Sequence, residues 1–346
     1  MKEKISVIGA GSWGTAISKL LAEKGFDVLI WAFEARVAEG INKSHLNPLY
    51  LSDVNLPKSL GATNDIKKAI KGRNVIISAV PSHALRGIWS GVGDCLESDA
   101  LLVSCTKGIE AESLKLMSQI LSDCLPKHPT ENRAVLSGPS FAREVAAGLP
   151  TSVVIAGKDI SVCRRFQEIF RTDTFLIFTN DDVVGVEVGG AVKNVIAIAA
   201  GVSDGLLLGH NSRAAIITRG LYEMIKIGRA LGANPLTFAG LSGIGDLILT
   251  CTAELSRNHS VGKELGLGHK LSEVLKGMNM VAEGVSTAKA VHMLAKKYGI
   301  NAPICDAMYK ILYEKFSPKQ AVVELCALPL GDELGSIQNL DPKRPS

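Results

Sequence analysis

Aromatic side chains are scarce: Phe, Trp and Tyr together make up 5% of the 346 residues. Base-stacking platforms cannot be built in quantity from so few rings, and the core has to come mainly from Val, Ile, Leu and Ala. Charge of one sign is not in surplus either. Lys plus Arg number 38 against 34 Asp plus Glu, a net charge of +4. The basic residues come singly or in pairs such as Lys67-Lys68 and Arg164-Arg165, which is no polyanion footprint, so nucleic acid is not expected as a partner. The seven cysteines, at 95, 105, 124, 163, 251, 305 and 326, are an odd number and form no C-x-x-C pair. They read as reduced core thiols rather than a disulfide framework or a redox centre. No His, Cys or carboxylate grouping has metal-ligand spacing and there is no nucleophile elbow, so no metal is expected. Long apolar runs are lacking as well. The longest, residues 183–202, is broken by Glu187 and Lys193, where a spanning helix needs about 20 mostly apolar residues. The apolar run at Ile5–Ile8 is too short for a signal peptide. These absences together predict a soluble, cytoplasmic protein without stable membrane insertion.

What is there is ordinary globular material, 47% apolar and 21% charged, in a chain long enough for about two domains. Short β-branched runs at 5–8, 28–31, 75–80, 101–105, 134–137, 152–156 and 175–178 alternate with helical patterns. Several are apolar throughout, as strands covered on both faces are. From 183 onward the pattern is helical only, at 183–201, 211–231, 257–267, 286–298, 304–315 and 318–327. Gly232 and Gly299 stand where helix stops are wanted, and Pro318 suits a first turn after Ser317. The expected fold class is α/β: an N-terminal Rossmann-like domain with a mostly parallel sheet at 1–182, an all-α C-terminal domain at 183–330, and a loose tail at 331–346.

Gly9-Ala10-Gly11-Ser12-Trp13-Gly14 follows a predicted strand and opens a predicted helix that Gly25 stops. In that context G-x-G-x-x-G permits a tight turn and close backbone approach to a pyrophosphate, which sits on the free amides of the helix end. The plainer alternative is a glycine-rich turn with no ligand. The acid that marks ribose binding at the end of the second strand is missing: Ala32 occupies that slot, and Glu34 and Arg36 come slightly later. The motif therefore says dinucleotide and leaves NAD and NADP both open.

In the helix opening the second half, Lys193 is the only ionisable side chain between Val188 and Val202. A lysine held among Ala, Val and Ile loses hydration, and its pKa falls towards the range of proton transfer at neutral pH. Gly190, Lys193, Asn194 and Ala197 share a face small enough for another surface to approach. The alternative is a lysine snorkelling out of the helix. Ser256-Arg257-Asn258 places a capping residue, a guanidinium fork and an amide at a predicted helix start, a good anion holder. Gly240 to Asp246 reads as a flexible loop ending in one carboxylate, with Asp246 as a helix cap in the plainer reading. Lys107-Gly108 and Gly138-Pro139-Ser140 follow predicted strand ends, the edge where open α/β sheets bind ligands, although Lys107 alone would pass for a solvated loop residue.

These motifs, Gly9 to Gly14, Thr106-Lys107-Gly108, Ser137-Gly-Pro-Ser-Phe-Ala142, Gly189-Gly-Ala-Val-Lys-Asn194, Gly243-Ile-Gly-Asp246 and Ser256-Arg-Asn258, occur in the order that resembles the bacterial NAD(P)-dependent glycerol-3-phosphate dehydrogenases. The resemblance spans Lys4 to about Leu328. It implies a homodimeric cytosolic enzyme that interconverts dihydroxyacetone phosphate and sn-glycerol 3-phosphate for phospholipid synthesis, using NAD or NADP. It also implies that Lys193 is the proton donor and acceptor, with Lys107 and Asp246 beside it in catalysis. Lys107, Gly138, Ser140, Lys193, Asp246, Ser256, Arg257 and Asn258 would hold the substrate. Gly9, Gly11, Ser12, Trp13, Gly14, Phe33, Lys107, Ala142, Arg257, Val281 and Glu283 would touch the cofactor. Ala32-Phe33 depart from the Arg or His that NADPH-using relatives often carry there. Two other readings stand beside this one: a related β-hydroxyacid dehydrogenase that reads a carboxylate, and a dinucleotide-sensing module. Burial of Lys193 facing the nicotinamide favours the enzymes and its exposure favours the sensor.

Overall fold

Residues 5–8 and 75–78 are apolar or small and wholly buried, so their strands must lie inside a sheet covered on both faces. The computed structural model describes residues 3–278, 282–329, 331 and 333. Its sheet has eight strands: β1 Lys4–Ile8, β2 Asp27–Trp31, β3 Gly61–Thr63, β4 Val75–Ser78, β5 Leu101–Ser104, β6 Arg133–Ser137, β7 Thr151–Gly157 and β8 Phe175–Asn180. The order is β3-β2-β1-β4-β5-β6-β7-β8. All neighbours are parallel except β6 and β7, which run antiparallel with Val135 opposite Ala156. The seven expected strands are all there. The short β3 was not foreseen, because Gly-Ala-Thr has neither the length nor the β-branched run of a strand.

Helices α1 Ser12–Glu23, α2 Ala35–Ser44, α3 Ile66–Ile70, α4 Ser82–Ser90, α5 Met117–Cys124, α6 Ala142–Ala146 and α7 Ile160–Phe170 cover the sheet. Separate apolar clusters fill its two faces, one around Ile5, Val7, Ile17, Leu21 and Phe166, the other around Ile8, Ile76, Trp89 and Ile120. Beyond β8, every regular element among the described residues is helical: α8 Val183–Gly205, α9 Gly209–Ala230, α10 Asp246–Thr252, α11 Arg257–Gly266, α12 Leu271–Lys276, α13 Glu283–Tyr298, α14 Pro303–Tyr313 and α15 Pro318–Cys326, with turns at Pro235–Ala239 and Leu241–Gly245. The helices expected here are found, and α10 and α12 are additions too short to show a periodicity in the sequence. Gly232 and Gly299 do stop helices, with φ of +91° and +63°, and Pro318 follows Ser317 into the first turn of α15.

Helix α8 is the axis of this half. It is long and apolar enough to cross a membrane by composition, yet every residue from Gly185 to Ser203 is buried against protein. Close approach depends on its glycines. A Cβ on Gly201 would run into the carbonyl oxygen of His259, and one on Gly262 would run into that of Ile198, so α8 and α11 cross nearly backbone to backbone. Gly189 likewise lets the Leu241–Gly245 turn lie directly on α8. The stretch from 240 to 246 is therefore packed helical turn, not the flexible loop its glycines suggest, and Asp246 is the first residue of α10. All seven cysteines are free thiols, but they are not all in the core: Cys326 is exposed and Cys95 and Cys124 are half-buried. The expected loose tail lies almost wholly outside the described residues.

Candidate active site

Three charged side chains from three elements converge where α8 passes the ends of the strands. Lys193, buried in mid-α8, donates from Nζ to Asp246 Oδ1 at 2.5 Å and to Thr250 Oγ1 at 2.8 Å. Lys107, just after β5, donates to the other carboxylate oxygen, Asp246 Oδ2, at 2.7 Å and to the carbonyl of Gly138 at 3.1 Å. Thr250 stands one turn after Asp246 on α10 and also donates to its backbone carbonyl at 2.6 Å. Nothing in the sequence singles out Thr250 until 246–252 is seen to be a helix, which puts i and i+4 on one face.

The electrostatics follow from this arrangement. Burial pulls the Lys193 ammonium down from its ordinary 10.5 to about 8, Asp246 opposing the fall and Lys107 adding to it. Burial alone would raise the Asp246 carboxyl, but the two ammonium groups outweigh it and hold the group below its ordinary value. A buried lysine that titrates near neutrality, with a fixed carboxylate and hydroxyl to orient it, can both give and take a proton.

The remaining predicted substrate residues flank the cluster. Gly138 sits at φ +128°, and its carbonyl takes both Lys107 and Ser140 Oγ, the latter at 3.0 Å. A Cβ on Gly190 would stand 2.6 Å from Ser137 Oγ and 3.4 Å from Lys107 Cγ, so this glycine makes room for Lys107 across α8. Ser256 caps α11 by accepting from His259 N at 3.2 Å. Asn258 donates to Asn194 Oδ1 at 2.9 Å and accepts from Gly284 N at 2.9 Å, so its side chain joins α8, α11 and α13. Arg257 is exposed at the start of α11, within electrostatic reach of Glu283. Glu283 in turn accepts from Ser82 N at 3.0 Å and from Ser82 Oγ, and Ser82 packs against Gly108. Together with the chain neighbours Lys193-Asn194, Glu283-Gly284 and Lys107-Gly108, these contacts link Lys193 by way of Asn258 and Ser82 to Lys107 and back to Asp246. Ser82 had no signal in the sequence beyond a plain helix start.

The glycine turn fits a dinucleotide. A Cβ on Gly9 would stand 2.7 Å from the carbonyl oxygen of Ala79, and one on Gly14 would run into Gly9 O, so both are needed for the turn itself. Gly11, the residue before α1, has nothing within 4 Å of its Cβ position. Gly11 immediately precedes the first-turn amides of α1, the kind of helix end on which a pyrophosphate sits. Ser12 Oγ donates to Tyr50 O at 2.7 Å, and Trp13 packs on Phe175 with ring centroids 6.4 Å apart. Ala142 begins α6, which packs on α1. Phe33 is 80% exposed beyond β2, its ring edge-on to Trp31. Val281 lies outside the described residues. Among the described residues no group of three or more His, Cys, Asp or Glu could hold a metal.

Comparison with known proteins bears on the family and the fold. Residues 4–163 match the family model of the NAD-dependent glycerol-3-phosphate dehydrogenase N-terminus, and residues 182–323 match that of the C-terminus. A glycerol-3-phosphate dehydrogenase, NAD(P)+, of Geobacter sulfurreducens is 49% identical over 333 residues, which cover 96% of this chain and 99% of that protein. The crystal structure of glycerol-3-phosphate dehydrogenase from Coxiella burnetii superposes with a TM-score of 0.90 at 38% identity, covering 94% of this chain and 99% of that one. The Plasmodium falciparum glycerol-3-phosphate dehydrogenase gives 0.84 at 28% identity, covering 96% and 97%.

Proposed function

This chain belongs to the NAD-dependent glycerol-3-phosphate dehydrogenase family, and from that premise we propose that it interconverts dihydroxyacetone phosphate and sn-glycerol 3-phosphate with NAD(H) or NADP(H). The observation that carries the reading is the buried Lys193 paired with an Asp246 that a second lysine shares.

Gly9, Gly11 and Gly14, with Ser12, Trp13, Phe33, Lys107, Ala142, Arg257 and Glu283, would hold the dinucleotide, which would supply or take the hydride. Lys193 Nζ gives a proton to the oxygen of the substrate carbonyl during reduction and takes it back during oxidation. Asp246 and Thr250 aim that ammonium, and Lys107 polarises the carbonyl or steadies the phosphate. Gly138 and Ser140 close one side of the substrate. Ser256, Arg257 and Asn258 meet its phosphate at the start of α11, where outward amides add to a guanidinium fork. Burial of Lys193 speaks against a sensor that needs no proton transfer. We also propose that the enzyme is a cytoplasmic homodimer whose product enters phospholipid synthesis.

The test is oxidation of NADH and NADPH with dihydroxyacetone phosphate, unphosphorylated dihydroxyacetone and small keto acids. Dihydroxyacetone phosphate should be strongly preferred. Lys193→Met should lower kcat roughly 10²- to 10⁴-fold with dinucleotide affinity kept. Arg257→Lys should cost kcat/KM far more with the phosphorylated substrate, because lysine keeps the charge and loses the fork. Preference for a keto acid, or most of kcat surviving in Lys193→Met, would overturn the assignment.

A further inference from the structure

The slot that usually holds the ribose-binding acid is closed. Ala32 is fully buried and its amide is tied to Thr63 O at 2.9 Å. Two residues later stands a carboxylate that a hydrogen bond ties to the segment around Tyr50. Glu34 Oε1 accepts from Tyr50 OH at 2.6 Å, and the carbonyl of Tyr50 accepts from Ser12 Oγ at 2.7 Å. The backbone of Tyr50 is itself fixed, its amide donating to Asn47 Oδ1 at 3.2 Å. The amide nitrogen of Asn47 donates to Ala10 O and to Thr15 Oγ1, both at 2.8 Å. The segment from Asn47 to Tyr50 is thus sewn to the glycine turn and the start of α1 at three residues, Ala10, Ser12 and Thr15, and the phenol of Tyr50 ties Glu34 to that segment.

We propose that Glu34, held by Tyr50 just past the end of β2, makes this enzyme select NADH over NADPH. The proposal rests on the reading that a nicotinamide dinucleotide binds at Gly9 to Gly14. On such a turn the adenosine ribose lies towards the end of the second strand, where an acid accepts from the ribose hydroxyls. Tyr50 occupies one oxygen of Glu34, which leaves the other to accept from a 2′-hydroxyl. A 2′-phosphate has no such proton to give and would bring its negative charge against a carboxylate that Tyr50 holds in place. Tyr50 stays a donor at any working pH, since its hydrogen bond to Glu34, with burial, pushes the phenol up to about 12. The competing charge is Arg36, exposed in the first turn of α2. A 2′-phosphate reader would use it, but the Tyr50 phenol that faces this region is bonded to Glu34.

Calorimetric titration of the full chain with NADH, NADPH, ADP and 2′-phospho-ADP tests this without relying on turnover. At low salt NADH should bind at least about tenfold more tightly than NADPH, and ADP more tightly than 2′-phospho-ADP by a similar factor, with both gaps narrowing in 0.5 M salt. Glu34→Gln should shrink the gap by roughly fivefold, mainly by tightening NADPH. Tyr50→Phe, which frees the carboxylate to move, should shrink it less. Equal or tighter NADPH binding by the unaltered protein overturns the proposal, whether or not the variants fold. So does an unchanged ratio in Glu34→Gln, or a selective loss of NADPH in Arg36→Ala. If none of the four nucleotides binds, the dinucleotide reading itself fails and takes this inference with it.

Discussion

Lys193 Nζ lies 2.5 Å from Asp246 Oδ1, while the other oxygen of that carboxylate is held by a second ammonium. Lys193 therefore titrates under opposed influences: burial, which weighs most, and Lys107 work against its charge, and the Asp246 carboxylate supports it. Reduction needs the ammonium and oxidation needs the amine. Reductive kcat should fall as pH climbs through about 8, and the oxidative rate should rise over the same interval. Asp246→Asn removes the stabilising charge and should move the apparent midpoint down by about a unit, whereas Lys107→Met should move it up. Full pH–rate profiles of both variants check this. A midpoint that ignores both substitutions would show that another group carries the proton.

The glycines of the nucleotide turn should separate into two kinds. Gly11→Val places its side chain in open space at φ −67°, so thermal stability should stay within about 0.5 kcal/mol while NADH and NADPH affinities drop at least about tenfold. Gly14→Ala drives a methyl into the backbone oxygen of Gly9 and should cost about 1–3 kcal/mol of stability before any ligand is added. Thermal unfolding paired with titration distinguishes them. Undiminished affinity in Gly11→Val would mean that the turn holds no pyrophosphate.

Much of this was legible because local pattern and global fold agree. A strand, three glycines and a helix in sequence already specify the turn from Gly9 to Gly14, and a single lysine in an apolar helix already points to Lys193. What pairs with Lys193 was harder to read. Asp246 lies 53 residues away, and its approach depends on Gly189 and Gly243 giving up their side-chain volume, which in the sequence looks like loop flexibility. Thr250 needed the helix α10, too short to show a period. Asn258 reads as an anion holder, yet both ends of its amide meet protein partners across α8 and α13. Glu34 and Arg36 stand slightly too late for the ribose-acid rule to assign either, because that rule counts residues along the strand, and the bond that singles out Glu34 comes from Tyr50 in a distant loop.

Glu187 offers a test of how the helical half is joined to the sheet. It lies near the start of α8, buried, and its carboxylate accepts from Ser118 N at 2.8 Å and from Ser118 Oγ at 2.5 Å in the first turn of α5. Burial pushes its carboxyl up to about 7 from an ordinary 4.5, the two Ser118 donors only partly opposing the rise. The folded value lies above the unfolded one. The contribution is therefore fully present below about pH 4.5 and is lost as pH rises through about 7, when the unfolded chain ionises freely and the folded one cannot. A shift of this size corresponds to about 3 kcal/mol between the two limits. Glu187→Gln keeps an oxygen for the Ser118 amide, turns an N–H towards its hydroxyl, and carries no titration. Relative to the parent it should gain stability steadily between pH 5 and 8, by up to about 3 kcal/mol. Denaturant unfolding of both proteins across that range measures the difference directly. Parallel stability curves for the two would mean that Glu187 ionises in the folded protein as readily as in the unfolded chain, so that its burial against α5 costs nothing.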